Sequence, residues 1–269
     1  MANEVLIRLS FFLGTLILMT LWEILAPRRP LLISKRLRWF SNLSLVVLNT
    51  LILRAVFPLA AVGAAAIASA KGWGLFNVIS LTEWQAVLLS VIALDLIIYF
   101  QHVIFHSLPT LWQLHKVHHC DRDFDVTTGL RFHPIEILLS MGIKIIAITL
   151  LGAPPTAVII FEILLNSTSL FNHGNVGLPP SLDRLLRLFV VTPDMHRIHH
   201  SIITKETNSN FGFNLPWWDY LFGTYRAYPE KGQQEMTIGL AEYQNTLQVE
   251  QLPWMLLLPF LKISNRSQT

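Results

Sequence analysis

Residues 101–120 read QHVIFHSLPTLWQLHKVHHC, and this stretch decides how the rest of the chain must be arranged. Five histidines fall in it, His102, His106, His115, His118 and His119, spaced H-x3-H, then eight residues, then H-x2-HH. Far downstream, MHRIHH repeats the close cluster with His196, His199 and His200. Residues three and four apart share a helix face, with Cβ atoms roughly 5–6 Å apart. Each cluster, if helical, aims two or three imidazoles at one place. Neutral imidazole is the commonest metal-binding side chain, one ring nitrogen ligating while an acceptor orients the other. Without a metal, eight crowded imidazoles leave polar atoms unpaired, or repel one another once protonated. Eight is also more than one ion needs, so the spacing asks for two.

Composition sets the class around this stretch. Of 269 residues, 52% are hydrophobic and 14% charged, with a mean hydropathy of +0.49, which are values of a membrane protein. The single cysteine, Cys120, excludes a disulfide framework and thiolate metal cages. A net charge of +3 is too small to argue for nucleic acid.

The expected architecture is all-α integral membrane: about four transmembrane helices, two N-terminal, then a further crossing and a helical hairpin, under a helical cytoplasmic cap that carries the histidine boxes. Residues 5–26 are long enough to span a hydrocarbon core of about 30 Å. The basic run that follows, Arg28, Arg29, Lys35, Arg36 and Arg38, contains no acid and places that end inside. Residues 43–69 form the second crossing, kinked at Pro58. A third, 84–105, delivers His102 and His106 to the positive side, where Lys116, Arg122 and Arg131 follow. From Ile135 to Leu170 two apolar arms meet at Gly152-Ala153-Pro154-Pro155, a transmembrane hairpin with a re-entrant one as the alternative. Residues 172–230 are the cap, and LPWMLLLPFLKI (252–263) is too short to span and is expected at the interface. The domains follow as 1–83, N-terminal helices; 84–230, the histidine-box catalytic domain; and 231–269, a tail.

The ordered pattern H102VIFH106, H115KVHH119, His133-Pro134 with Glu136, the lone His173, H196RIHH200 and N210FGFNLPWWDYLFGTY225 resembles the sterol desaturase/fatty acid hydroxylase superfamily. The resemblance covers roughly residues 90–230. It implies a histidine-held di-iron pair and O2-dependent attack on a lipid C–H bond, hydroxylation or desaturation of a sterol, fatty acyl or alkylglycerol type of substrate. It also implies the eight boxed histidines as ligands, with His133 and His173 completing the shell. No fused haem domain is read in the chain, so a separate electron donor (cytochrome b5-like, ferredoxin or reductase) is expected, in a bacterial inner membrane or endoplasmic reticulum. Asp95, Asp121, Asp123, Asp125, Glu136, Glu162, Asp194 and Asp219 are candidates to orient the imidazoles, with Asp194 and Glu136 ranked first. Trp217 and Trp218 read as anchors seating the cap on the bilayer, and Arg122, Arg131, Arg197 and Lys205 as a docking face for an acidic carrier.

Two other classes compete. A zinc-dependent membrane hydrolase needs an open coordination position and a general base; HExxH is absent and the histidines are too many. A metal transporter or haem-binding membrane protein is the other, but transport sites sit near the bilayer midplane, whereas these histidines cluster at one face.

Overall fold

The structure, a computed structural model, describes residues 2–261. Among the described residues there is no β-strand, only two isolated bridges, Pro27 to Val176 and Ser201 to Ile238. The chain is an integral membrane protein: four helical stretches are long and apolar enough to cross a bilayer. The first is α1 (Ala2–Leu25), and most of its side chains beyond Val5 face outward, including Leu13, Ile17, Leu18, Leu21 and Ile24. In water that surface would be untenable; against lipid tails it costs nothing.

The second stretch departs from the expected single kinked crossing over 43–69. Helix α2 (Lys35–Val56) begins eight residues earlier and stops before Pro58, and α3 (Ala60–Lys71) resumes after it. Pro58 lacks the N–H and its ring blocks the preceding carbonyl, so the helix breaks rather than bends. Only the second half of this pair crosses. Asn49 donates to the Phe132 carbonyl (2.9 Å), beside the start of α7 (Pro134–Leu151). Past α3, Gly74 sits against Gly152, where α7 ends. Both glycines have positive φ (91° and 69°), and a Cβ on Gly74 would stand 2.1 Å from the Gly152 nitrogen. The first half of α2 instead forms a wall of the polar end.

After the four-residue α4 (Leu75–Val78), α5 (Glu83–Ser107) crosses back, opened by a capping box between Thr82 and Gln85. The chain turns at Leu108, and Pro109 at the first position of α6 (Pro109–His119) starts the next helix at once. Helix α8 (Pro155–Asn172) returns from the Gly152–Pro155 turn and packs against α1, α3 and α5. Its second half is polar, and Ser167 there meets Thr15 of α1 (3.3 Å). Mid-helix, Glu162 accepts from Lys144 of α7 (2.7 Å) and faces Arg8 of α1 (3.0 Å), an ion cluster that fixes three helices in register. Short helices α9 (Pro180–Leu186), α10 (Pro193–His199), α11 (Thr204–Thr207) and α12 (Trp217–Leu221) form the cap.

Under the cap the polar end is closed by buried charge. Arg38 grips Asp121 with two bonds of 2.8 Å and Asp125 with one of 2.5 Å; all three side chains are fully buried. Burial works against ionisation of Asp121, but Arg38 and Arg131 outweigh it and hold its carboxyl below the usual range. Arg131 donates to Glu250 (2.6 Å), to the Val249 carbonyl and to the Val117 carbonyl (2.8 Å), so it ties the C-terminal segment to the last turn of α6. Expected at the interface, the 252–260 part of that segment inserts Met255 and Leu258 beside Leu45 and Val117 and leaves Leu257 and Phe260 outside; residues 262–263 lie outside the described residues. Arg38→Met should lower stability by about 3–5 kcal/mol, because it strands two buried carboxylates. Thermal unfolding in detergent would measure this, and an unchanged melting temperature would contradict it.

Candidate metal centre

Three turns of helix and one helix end build the centre. The last turns of α5 carry His102 and His106, and the reversal at Leu108 lays α6 beside them. His102 Nε2 thereby comes 3.1 Å from His115 Nε2, and His106 Nε2 comes 3.1 Å from His119 Nε2. Helix α10 starts at Thr192, whose hydroxyl caps Met195 N, and presents His196 and His199, with His200 at its C-terminal cap. His173 caps the C-terminus of α8 and lies between His118 (3.2 Å) and His196 (3.1 Å).

Nine of the ten histidines fall into two groups whose ligand atoms lie within 4.8 Å of one another: His102, His106, His115, His119 and His199; and His118, His173, His196 and His200. The H-x2-HH motif divides the same way twice. In each, the residues four apart join one group and the middle one joins the other. On a helix, i and i+4 stack on one side while i+3 lies rotated away, so one turn serves two centres.

Five of the outward nitrogens have acceptors, whereas Nδ1 of His118, His196 and His200 has no hydrogen-bond partner. Nδ1 of His102 meets the Phe211 carbonyl (2.7 Å), that of His199 the Ser209 carbonyl (2.8 Å), that of His173 the Ser169 carbonyl (2.8 Å) and that of His115 the Glu136 carboxylate (2.6 Å). His106 Nδ1 faces Asn208 Oδ1 (3.2 Å). A ring that donates from Nδ1 carries its lone pair on Nε2, so between His102 and His115, both of which have Nδ1 acceptors, lone pair points at lone pair. Nε2 of His199 and both nitrogens of His200 have no hydrogen-bond partner. A cation in each group would reconcile these facts. Metal–nitrogen bonds near ~2.1 Å put two ligands at right angles roughly 3.0 Å apart, which the Nε2 separations match. The residues therefore fit metal ions. Each group is purely imidazole among the described residues, with no carboxylate or thiol in either.

The surroundings keep the rings neutral and dry. Burial first, and then neighbouring imidazoles, push His118, His119, His196, His199 and His200 well below the ordinary histidine range. Phe132 stacks on His118 (centroids 4.5 Å apart, planes at 13°), and Phe213 lies 5.1 Å from His102. Eight of the nine rings are buried, and His106 alone is partly exposed. Gly129 lets the 128–130 turn reach α8; a Cβ there would stand 2.7 Å from the Ser169 carbonyl and 3.0 Å from His173 Nδ1.

Several sequence expectations need correction. His133 lies outside both groups: its Nδ1 accepts from Ile135 N (3.2 Å), capping α7, and its Nε2 faces the Leu256 carbonyl (3.3 Å). Asp194 touches no histidine and pairs with Arg28 (3.1 Å) and Arg197. Asp121, Asp123, Asp125 and Glu162 serve ion pairs and backbone amides instead. Asp219 acts one step removed, accepting from Phe211 N (2.8 Å) and Gly212 N (2.9 Å) and so holding the residue whose carbonyl orients His102. Burial pushes its carboxyl up to about 6. Asp95 accepts from Trp218 Nε1 (2.8 Å), which makes Trp218 a buried tie between α5 and the cap rather than a membrane anchor; Trp217 is the exposed one of the pair. Arg131 and Arg197 are fully buried and form no docking face. The orienting Asn208 and the backbone carbonyls carried no signal in the sequence.

Fold and site together define an all-helical membrane protein whose buried imidazoles form two groups that could each hold a metal ion. Residues 87–224, just over half of the chain, match the fatty acid hydroxylase family model, and the chain belongs to that family. Similar curated proteins are the ornithine lipid hydroxylase OlsE of Rhizobium tropici (33% identical, covering 56% of this chain and 45% of that protein) and the human alkylglycerol monooxygenase (28%, covering 61% and 34%). The human cholesterol 25-hydroxylase is 27% identical, covering 52% of this chain and 51% of its own length. The chain thus spans between about a third and a half of these relatives. No solved structure gives a significant match.

Two outcomes follow. Below about pH 6.5 the unfolded chain binds protons on histidines that the folded chain keeps neutral. Stability should therefore be level above pH 7.5 and fall as pH drops through 6.5 towards 5, and melting curves that do not change over that range would contradict the buried neutral cluster. Glu136→Gln should weaken metal retention about 10–100-fold by loosening His115, read by dialysis against a graded chelator.

Proposed function

We propose that this protein hydroxylates an aliphatic C–H bond of a membrane lipid, using O2 and two electrons from a donor protein. The observation that carries the reading is the pair of buried, all-imidazole groups at the end of a lipid-facing helical bundle. Neither side-chain acids nor bases break such a bond, so a redox centre must supply the oxidising power. Imidazole suits iron, copper and zinc alike, but only a redox metal activates dioxygen, and iron is the assignment that family membership favours. One ion would be held by His102, His106, His115, His119 and His199, the other by His118, His173, His196 and His200. When bound, the pair supplies the activation of O2; the overall balance is R–H + O2 + 2 e− + 2 H+ giving R–OH + H2O.

The chain's own residues do the rest. Glu136, Asn208 and the carbonyls of Phe211, Ser209 and Ser169 hold the Nδ1 protons and so present Nε2 inward. Phe132, Phe213 and Phe124 line the rings and keep water from them. His106, the partly exposed ring beside Trp112, marks the edge where electrons would enter. The basic residues Arg28, Arg29, Lys35 and Arg36 beside the centre support a cytoplasmic placement.

Hydroxylation is preferred over desaturation because the similar proteins are named hydroxylases and monooxygenases, of an ornithine lipid, alkylglycerol and cholesterol. These substrates share a polar head and an aliphatic body, so an amphiphilic lipid is the proposed class. Comparing lipid extracts from cells with and without the protein by mass spectrometry tests this. The expected result is a lipid heavier by one oxygen atom, absent with His199→Ala. A product lighter by two hydrogens would establish desaturation instead, and full activity of His199→Ala would refute the site.

A further inference from the structure

The segment between α1 and α2 does not leave the protein after the first crossing. It folds back over the histidine end: Arg28 N donates to the Asn175 carbonyl (2.8 Å), Asn175 Nδ2 donates to the Arg29 carbonyl (2.8 Å), and Asp123 accepts from Leu32 N and Ile33 N (2.9 and 2.6 Å). Between this strap and the end of α1 lies a cleft of about 230 Å³, lined by Glu23, Arg29, Leu31, Lys35 and Asn175 among others.

Glu23 is only 5% exposed. Its Oε1 is fully used, accepting from Val126 N (2.6 Å) and Asn175 N (2.8 Å). Its Oε2 has no hydrogen-bond partner, and the Lys35 ammonium stands 3.7 Å off, nearer an ion pair than a bond. A buried carboxylate oxygen left without a donor is costly, and something that brings an N–H to it would be held strongly. Lys35 lies over the Trp39 ring (4.7 Å to the centroid), a third exposed at its side chain, and Arg29 is on the same cleft. The cleft therefore offers one carboxylate acceptor inside and two cations around it.

Its depth says which kind of molecule brings that chemistry. The cleft sits where the apolar span of α1 ends, and the outward face just before it, Ile17, Leu21, Ile24 and Leu25, is 52–82% exposed and lies against acyl chains. Lipid headgroups occupy that level. We propose that the cleft is a binding site for a lipid whose headgroup carries a primary ammonium and an acidic group a few bonds away. The ammonium donates to Glu23 Oε2, the acidic group lies between Arg29 and Lys35, and the acyl chains run along α1. A quaternary ammonium has no N–H to give and leaves Oε2 unmatched. The site stands apart from the reaction proposed above, and binding alone tests it.

The protein would be placed in nanodiscs of equimolar phosphatidylethanolamine, phosphatidylcholine and phosphatidylglycerol with matched chains, and its retained lipids counted by native mass spectrometry. Phosphatidylethanolamine should be retained about tenfold over phosphatidylcholine, the effect of one charge-assisted hydrogen bond. Glu23→Gln keeps an acceptor for the two amides and should erase that preference. The double variant Arg29→Ala/Lys35→Ala, which leaves Glu23 and its amide bonds in place, should reduce retention of phosphatidylethanolamine and keeps the test decisive if Glu23→Gln fails to fold. Soluble phosphoethanolamine should compete only weakly, because it lacks the chains. Equal retention of all three lipids, preference for phosphatidylglycerol, a preference that survives these variants, or full displacement by soluble phosphoethanolamine would overturn the proposal.

Discussion

Imidazole nitrogens that converge on one another inside a buried, water-poor end are the constraint on which the rest of this structure depends. Nε2 atoms of His102 and His115, of His106 and His119, and of His173 with both His118 and His196 approach to 3.1–3.2 Å, and backbone or carboxylate acceptors take the Nδ1 protons of His102, His115 and His173. Between His102 and His115 the arrangement is repulsive by itself, and it is held by what surrounds it until a cation makes it attractive. The reversal at Leu108, the caps at Thr192 and His173, and the close approach at Gly129 serve that purpose.

A second ring of charge secures the first. Arg38 and Arg131, both without solvent contact, tie the 121–131 loop to α2 and to the C-terminal segment. Buried ion pairs contribute little net stability, but they admit few alternative partners and so fix geometry. Here they hold α6, whose last turn supplies three of the nine imidazoles. On the membrane side, Glu162 with Lys144 and Arg8 does the same for α8, which supplies His173. The orientation of the centre is thus set from both directions, by charge outside the rings and by helix register inside the bilayer.

Much of this was legible in the sequence, for reasons that can be stated. The spacing of the histidine clusters reveals shared helix faces, because i, i+3 and i+4 is a geometric identity of the helix. It does not reveal which ring goes to which group, since that depends on helices meeting across the fold. His133 reads as a ligand by sequence, but a lone histidine before a proline is also a helix cap, and Pro134 at the first position of α7 makes it one. Asp194 lies two residues from His196 in sequence, whereas Arg28, distant in sequence, claims it in space. The carbonyls of Phe211, Ser209 and Ser169 belong to no residue type and leave no trace in composition. Pro58 reads as a kink within a crossing over 43–69, but it separates α2 from α3, and α2 extends back through the basic run to include Arg38.

The central claim is that two separate ions occupy two groups of imidazoles with no bridging protein carboxylate. An anomalous-scattering map of the metal-loaded protein tests it most directly. It should show two resolved peaks, one within bonding distance of the Nε2 atoms of His102 and His115, the other within bonding distance of those of His173 and His196. A single peak, or two peaks bridged by a carboxylate such as Glu136, would contradict the account.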